Sequence, residues 1–240
     1  MTKKNILVFK HMPSQNPGIF RDFAESQNVN FIEIDLHAGD KIPDLKDFDA
    51  LWVMGGSMNV WEEDKYPWLI EEKKAIRYAV EDLKMPFLGI CLGHQLLAVA
   101  MGGKAIDTGR YEVGLFEIES TKEGLNHPLL KNLKDSEKWV NAHLVEVIEA
   151  PENAMILATS DHCQNHVMQL GENAYSCQFH PEVCSHTLDG WMKIPGVPDF
   201  FDELSAHGID DLTSSITENL DVNNRASSVL FENWCNLVFN

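Results

Sequence analysis

The 240-residue chain sets 19 lysines and arginines against 37 aspartates and glutamates, a formal net charge of -18, which excludes the basic surface that phosphate-rich partners such as nucleic acids and anionic membranes require. Its length suffices to bury a core without disulfides or structural metals and fits one α/β domain over residues 1–240. Five cysteines, an odd number, suit a reducing compartment; with no leader pattern and no apolar stretch long enough to cross a bilayer, a cytoplasmic protein is expected, with neither nucleic acid nor membrane as partner.

Taken in order, Asn5 to Phe9 is a compact apolar strand, followed by a loop rich in proline, glycine, serine and asparagine through Gly18 and a helix predicted over Ile19 to Ser26. Asn30 to Ile34 and Ala50 to Met54 give two more strands, the latter stopping at Gly55-Gly56-Ser57. Strands alternating with helices point to a parallel sheet. Tyr66 to Lys84 reads as one long amphipathic helix, with Leu69, Ile70, Ala75, Ile76, Ala79 and Val80 on its apolar face. From Ala105 to Phe179 the pattern changes to short strands between polar turns, over Leu115 to Ile118, Leu144 to Ile148, Met155 to Ala158, Val167 to Leu170 and Ala174 to Phe179, and antiparallel pairs are expected there. The tail from Leu188 is helical in pattern, with a proline-rich break at Ile194 to Pro198 and an apolar-faced segment from Val229 to Phe239 predicted to pack on the core.

Two stretches carry chemistry. Phe87 to Ile90 is a short apolar run, and Leu92, Leu96, Val99 and Ala100 then recur at helical spacing until Gly102-Gly103, so Cys91 sits at a strand-to-helix turn. Gly89-x-Cys91-x-Gly93 is the nucleophile-elbow pattern with sulfur for oxygen. A helix N-terminus carries about half a positive charge, which favours thiolate over thiol and leaves N–H groups to receive an oxyanion. The second stretch is Gln178-Phe-His-Pro-Glu182, where an extended backbone turns His180 and Glu182 to the same side and Pro181 ends the ladder. A histidine held by a carboxylate and facing a thiol is what nucleophilic catalysis requires. A competing pattern lies close by: His162, Cys163, His166, Cys177, His180, Cys184 and His186 include two Cys-x-x-His spacings of a kind zinc accepts. The alternating facings expected at a strand end argue against a shared ion, and no metal or other cofactor is predicted.

Those two stretches, together with Val53-Met-Gly-Gly-Ser-Met-Asn-Val60, Tyr66-Pro-Trp68, Glu112-Val-Gly114, Ala158-Thr-Ser-Asp-His-Cys163 and Asn173-Ala-Tyr175, resemble the class I (triad) glutamine amidotransferases over roughly residues 5–185. The similarity is strongest to free-standing members akin to the amidotransferase domain of GMP synthase. It implies a flavodoxin-like three-layer α/β/α sandwich with a mostly parallel central sheet and a small antiparallel section, extended from about residue 188 by helices. It implies a triad of Cys91, His180 and Glu182, oxyanion donors at Gly56 and Leu92, and substrate contacts from Gln95, Ala142 and His143. The expected reaction takes glutamine to glutamate and ammonia through a γ-glutamyl thioester. An independent γ-glutamyl peptide or amine hydrolase is the alternative, and a catalytically silent regulatory protein a more distant one. Any ammonia acceptor would belong to a separate synthetase subunit. Two departures bear on the pocket: Ser57 stands where many relatives have proline, and Asn141 to Glu146 replaces a common His-Gly-Asp segment.

Overall fold

Strands form where the sequence carries its short uninterrupted apolar runs, and helices where the apolar residues spread to helical spacing. In the computed structural model, which describes residues 2–194, 196–204 and 208–239, the elements are β1 (Lys4–Lys10), α1 (Phe20–Phe23), β2 (Val29–Asp35), β3 (Ala50–Val53), α2 (Trp68–Arg77), β4 (Phe87–Ile90), α3 (Leu92–Ala100), β5 (Lys104–Ser120), β6 (Ser136–Glu149), β7 (Met155–Thr159), β8 (Val167–Leu170), β9 (Ala174–Cys177), α4 (Ser185–Trp191), α5 (Val197–Leu204) and α6 (Ile209–Phe239). Pro195, part of the expected Ile194 to Pro198 break, lies outside the described residues.

The strands make a nine-stranded sheet in the order β2-β1-β3-β4-β9-β8-β7-β5-β6. Strands β2, β1, β3, β4 and β9 pair in parallel, and β9, β8, β7, β5 and β6 pair antiparallel. The expected parallel core is present. The antiparallel section is as extensive as the parallel one, because the two short strands predicted around Leu115 and Leu144 belong to ladders of 17 and 14 residues. Glu112, Asn141 and His143, which fall outside the predicted short strands, and Glu146, inside the strand predicted over Leu144 to Ile148, are all buried in that ladder.

Both faces of the parallel half are covered, so β3 is buried throughout and alternates between two cores. Trp52 packs with Phe20, Phe231 and Trp234 on one face, while Leu51 and Val53 pack with Leu69, Ile76, Leu96 and Leu97 on the other. A third apolar cluster, with Val113, Val140, Trp191, Phe201, Leu212 and Ile216, ties α4, α5 and α6 to the long hairpin. The C-terminal segment thus packs on the core as expected, as part of a single helix of 31 residues.

Two helices are shorter than their patterns. The chain leaves α1 after four residues because Asn28 adopts φ +53° and Val29 bonds back to Ala24, turning directly into β2. Trp68–Arg77 is α-helical, but Tyr78–Asp82 widens into a π turn, with the Leu83 N–H on the Tyr78 carbonyl at 3.0 Å, before Lys84 at φ +50° ends the helix. What positions the site is the register: Leu51 pairs Phe87 and Ile90 pairs Cys177, so the carboxyl ends of β1, β3, β4 and β9 lie side by side. Open parallel sheets bind ligands at such an edge.

Candidate active site

Cys91 caps the junction of β4 and α3 with φ 53° and ψ -105°, a conformation that costs a non-glycine residue roughly 1–3 kcal/mol. Its flanking glycines make the turn possible. A Cβ on Gly89 would lie 2.5 Å from the Gly93 carbonyl oxygen, and one on Gly93 would lie 2.0 Å from the Val53 carbonyl oxygen. The Cys91 N–H donates to the Cys177 carbonyl at 2.9 Å, tying the turn to the end of β9.

Three residues beyond Cys177, the His180 N–H donates to the Val140 carbonyl at 2.8 Å, which seats that chain end on β6. His180 Nδ1 donates to Glu182 Oε1 at 2.7 Å, and both side chains are buried. Cys91 is the ring's other polar neighbour. Burial disfavours an imidazolium here, but Glu182 and Cys91 outweigh it and push His180 up to about 10. Trp191 closes over the ring edge-on, with centroids 4.8 Å apart. The carboxylate is placed by two segments at once: the Glu182 carbonyl accepts from Ile19 N–H, beside Gly18, which at φ +50° packs where a Cβ would lie 1.9 Å from that oxygen, and the Pro181 carbonyl accepts from Ser227 Oγ at 2.6 Å.

Cys91 and His180 open onto a cavity of about 470 Å³, which Gly56, Gln95, Ala142 and His143 also line. Every expected site residue is therefore at this cavity or directly behind it, Leu92 following Cys91 and Glu182 backing His180. Among the described residues no hydrogen bond engages the backbone N–H of Gly56 or Leu92 within the chain. Gln95 is buried, with Nε2 donating to the Val145 carbonyl at 2.9 Å and to Gln178 Oε1 at 3.2 Å. The backbone of the altered Asn141 to Glu146 segment thus still reaches α3.

His143 is anchored from beneath. Glu112 Oε2 accepts from His143 Nε2 at 2.9 Å and from His166 Nε2 at 2.7 Å, while Oε1 accepts from Ser160 Oγ at 2.5 Å. Burial opposes the charge on Glu112, yet these donors hold its carboxyl well below the usual range. The seven thiols and imidazoles of the zinc-like interval do not converge. His180 is held by Glu182, Cys177 Sγ faces the Phe179 carbonyl and Cys184 pairs with Thr187. Among the described residues, the group of possible ligand atoms lying within 4.8 Å of one another is Glu112, His143 and His166, two of which lie outside that interval, and both histidines already bond to Glu112.

The pocket also contains residues that no motif signalled. Gln15, from the loop after β1, places Oε1 2.9 Å from a Cβ position on Gly55, and Met12, Trp191, Val197 and Phe201 add an apolar wall. Behind the glycine turn, His11 and Glu72 form a fully buried pair. Their one sequence signal is position, since His11 directly follows β1 at the sheet's carboxyl edge.

A doubly covered α/β sheet with a strained cysteine between two glycines at its carboxyl edge defines an α/β protein of the nucleophile-elbow type. The chain belongs to the class-I glutamine amidotransferase family, whose model matches residues 14–192. Among curated relatives, it is 35% identical over 153 residues to a subunit of the glutamine-hydrolyzing GMP synthase of Sulfolobus acidocaldarius, covering 62% of this chain and 74% of that one. The corresponding GMP synthase subunit of Saccharolobus solfataricus is 32% identical over 168 residues, covering 68% and 84%. Among solved structures, a glutamine amidotransferase of Thermotoga maritima superposes with a TM-score of 0.85 at 24% identity, covering 98% of this chain and 99% of that one. One from Methylobacillus flagellatus gives 0.83 at 24%, covering 99% and 96%. These two likenesses establish the fold. No helix among the described residues is long and apolar enough to cross a membrane.

Proposed function

We propose that the protein hydrolyses a γ-glutamyl amide, with glutamine as the reference substrate, through a Cys91 γ-glutamyl thioester. The observation that carries this reading is the buried line Glu182, His180, Cys91 opening on one cavity. The Cys91 sulfur attacks the amide carbon and a C–S bond forms. The carbonyl oxygen takes the negative charge and lies between the N–H groups of Gly56 and Leu92. As the C–N bond breaks, His180 gives its proton to the departing nitrogen, and ammonia leaves. Water then attacks the thioester, its proton passes to His180, and the C–S bond breaks to release glutamate. Glu182 holds the ring's orientation and stabilises its charged form. Gln95, Ala142 and His143 bind the glutamyl portion. Residues 1–240 act as one domain, in the cytoplasm, where five unpaired cysteines suit a reducing medium.

Two versions of this chemistry are distinguished by the acceptor. The GMP synthase relatives support an ammonia-supplying role beside a separate synthetase subunit. The apolar wall of Met12, Trp191, Val197 and Phe201 supports an independent hydrolase of larger γ-glutamyl peptides or amines. Steady-state glutamate release from purified protein offered glutamine and a panel of γ-glutamyl peptides and amines tests both. Efficient turnover of a γ-glutamyl peptide with negligible glutaminase activity eliminates the ammonia-supplying version. Weak glutaminase activity stimulated by a co-purifying synthetase eliminates the other, and no release from any γ-glutamyl compound sinks the hydrolase reading altogether.

A further inference from the structure

His11 is a buried ionisable residue that the reaction above leaves without a role. Its Nε2 donates to Glu72 Oε1 at 2.8 Å and its Nδ1 donates to the Gly55 carbonyl at 2.9 Å, with both side chains fully buried. The ring is stacked on Trp68, with centroids 5.4 Å apart and planes 12° from parallel. Both partners are acceptors, so each ring nitrogen carries a proton and the ring is an imidazolium facing a carboxylate. Burial opposes that charge, and Glu72, by charge and hydrogen bond, raises the His11 pKa above its ordinary value despite it.

The consequence lies in the next peptide. A trans peptide holds its C=O and N–H in one plane pointing in opposite directions, so fixing the Gly55 carbonyl toward His11 fixes the Gly56 N–H away from it. Gly56 is wedged between His11 and Leu92: a Cβ there would lie 2.9 Å from His11 Cβ and 2.8 Å from Leu92 Cδ2. Two glycines in a row make this peptide free to rotate, and Ser57, unlike a proline, locks no φ after it. Something else must hold the plane.

We propose that His11 is a positioning residue, which through the Gly55 carbonyl aims the Gly56 N–H at the oxyanion formed over Cys91. Glu72 and the face of Trp68 hold the ring for that purpose. The inference rests on the proposed oxyanion role of Gly56 and extends it to three residues, His11, Glu72 and Trp68.

The test compares His11→Asn, His11→Phe and Glu72→Gln with the wild type. Asparagine keeps an N–H donor near the Nδ1 position; phenylalanine keeps the stacking on Trp68 but has no donor. His11→Phe is expected to lower kcat for γ-glutamyl amide hydrolysis about 10²- to 10³-fold with KM changed less than about threefold, as for loss of one oxyanion donor, and His11→Asn to recover to within about tenfold of wild type. Alkylation of Cys91 by iodoacetamide forms no oxyanion, so its rate stays within about threefold in every variant. The ¹H–¹⁵N resonance of Gly56 is expected to be sharp in wild type and His11→Asn and shifted or broadened in His11→Phe. Equal kcat in all variants, or alkylation falling in step with kcat, overturns the inference. If the wild type hydrolyses nothing, the hydrolase reading fails, and an unchanged Gly56 resonance in His11→Phe overturns the His11 inference independently.

Discussion

Cys91 holds a backbone conformation that its own side chain disfavours, and Gly89 and Gly93 remove the side chains that would forbid it. Burial raises the thiols of Cys163, Cys177 and Cys235, the last to about 12. Cys91→Ala is expected to abolish both labelling by a glutamine-like electrophile and turnover, while Cys163→Ala and Cys235→Ala leave both intact; undiminished labelling of the Cys91 variant excludes it as nucleophile. His180→Ala should lower kcat by about 10⁴-fold or more. Glu182→Gln should be about 10- to 100-fold less damaging, because the carboxylate orients and stabilises the ring without transferring the proton. Equal losses in the two variants, measured as kcat/KM for glutamate release, contradict that division of roles. Both residue stretches were readable before folding, since a glycine-flanked cysteine and a His-x-Glu spacing are local patterns. His11, Gln15 and Glu72 were not, because nothing in their local sequence separates them from ordinary polar residues.

At the scale of elements, the end of β9 is held by α6, a helix that starts more than 25 residues after His180. Its apolar face buries Leu230, Phe231 and Trp234 against Trp52 and Phe20, so it completes one core layer. Its polar contacts are aimed at backbone. Asn223 Nδ2 donates to the Lys138 carbonyl at 2.7 Å, and Ser227 Oγ donates to the Pro181 carbonyl at 2.6 Å, between His180 and Glu182. Ser227 is fully buried, so Ser227→Ala leaves the Pro181 carbonyl without this donor and should cost about 1–3 kcal/mol in urea unfolding. A loosened strand end should also lower kcat more than it raises KM. Unchanged unfolding with unchanged kcat in the Ser227 variant shows that the helix does not brace the site. The helical pattern of this tail and its packing on the core were legible in sequence; its hold on the chain end after β9 was not, since a serine on a helix specifies no particular distant carbonyl.

For the molecule as a whole, buried histidines held neutral contribute to the response to acid. His94 is fully buried, with Nδ1 on Ser176 Oγ at 2.9 Å, and burial first, then His166 and His143, lowers its pKa to about 3. His166 is shifted the same way, burial again leading. A histidine kept neutral in the fold takes up its proton near pH ~6.5 once unfolded, so the unfolded state binds more protons below that pH. Stability contributed by neutral His94 is therefore complete above about 6.5 and lost as pH falls toward about 3, at up to about 1.4 kcal/mol per pH unit. The net charge of -18 shrinks over the same range as carboxylates protonate, so the His94 contribution is isolated by difference. His94→Asn, which keeps a donor toward Ser176, should flatten the decline in urea midpoint between about pH 6.5 and 4 relative to wild type; parallel pH profiles refute it.

The sequence by itself determined the local geometry: apolar runs fixed the strands of the parallel half, helical spacing fixed α3 and the core-facing side of α6, and the glycines around Cys91 fixed a turn available to little else. These depend on neighbours within a few residues, where steric exclusion and periodicity act directly. Tertiary structure alone decided that Glu112 and His143 lie inside a long ladder rather than in turns, and that α2 widens into a π turn before β4. It also decided which carbonyl His11 faces. A buried polar residue is stable only with its partner in place, and Glu112 finds donors 31, 48 and 54 residues away. The free energy of such a group is set by atoms that the chain brings near only on folding.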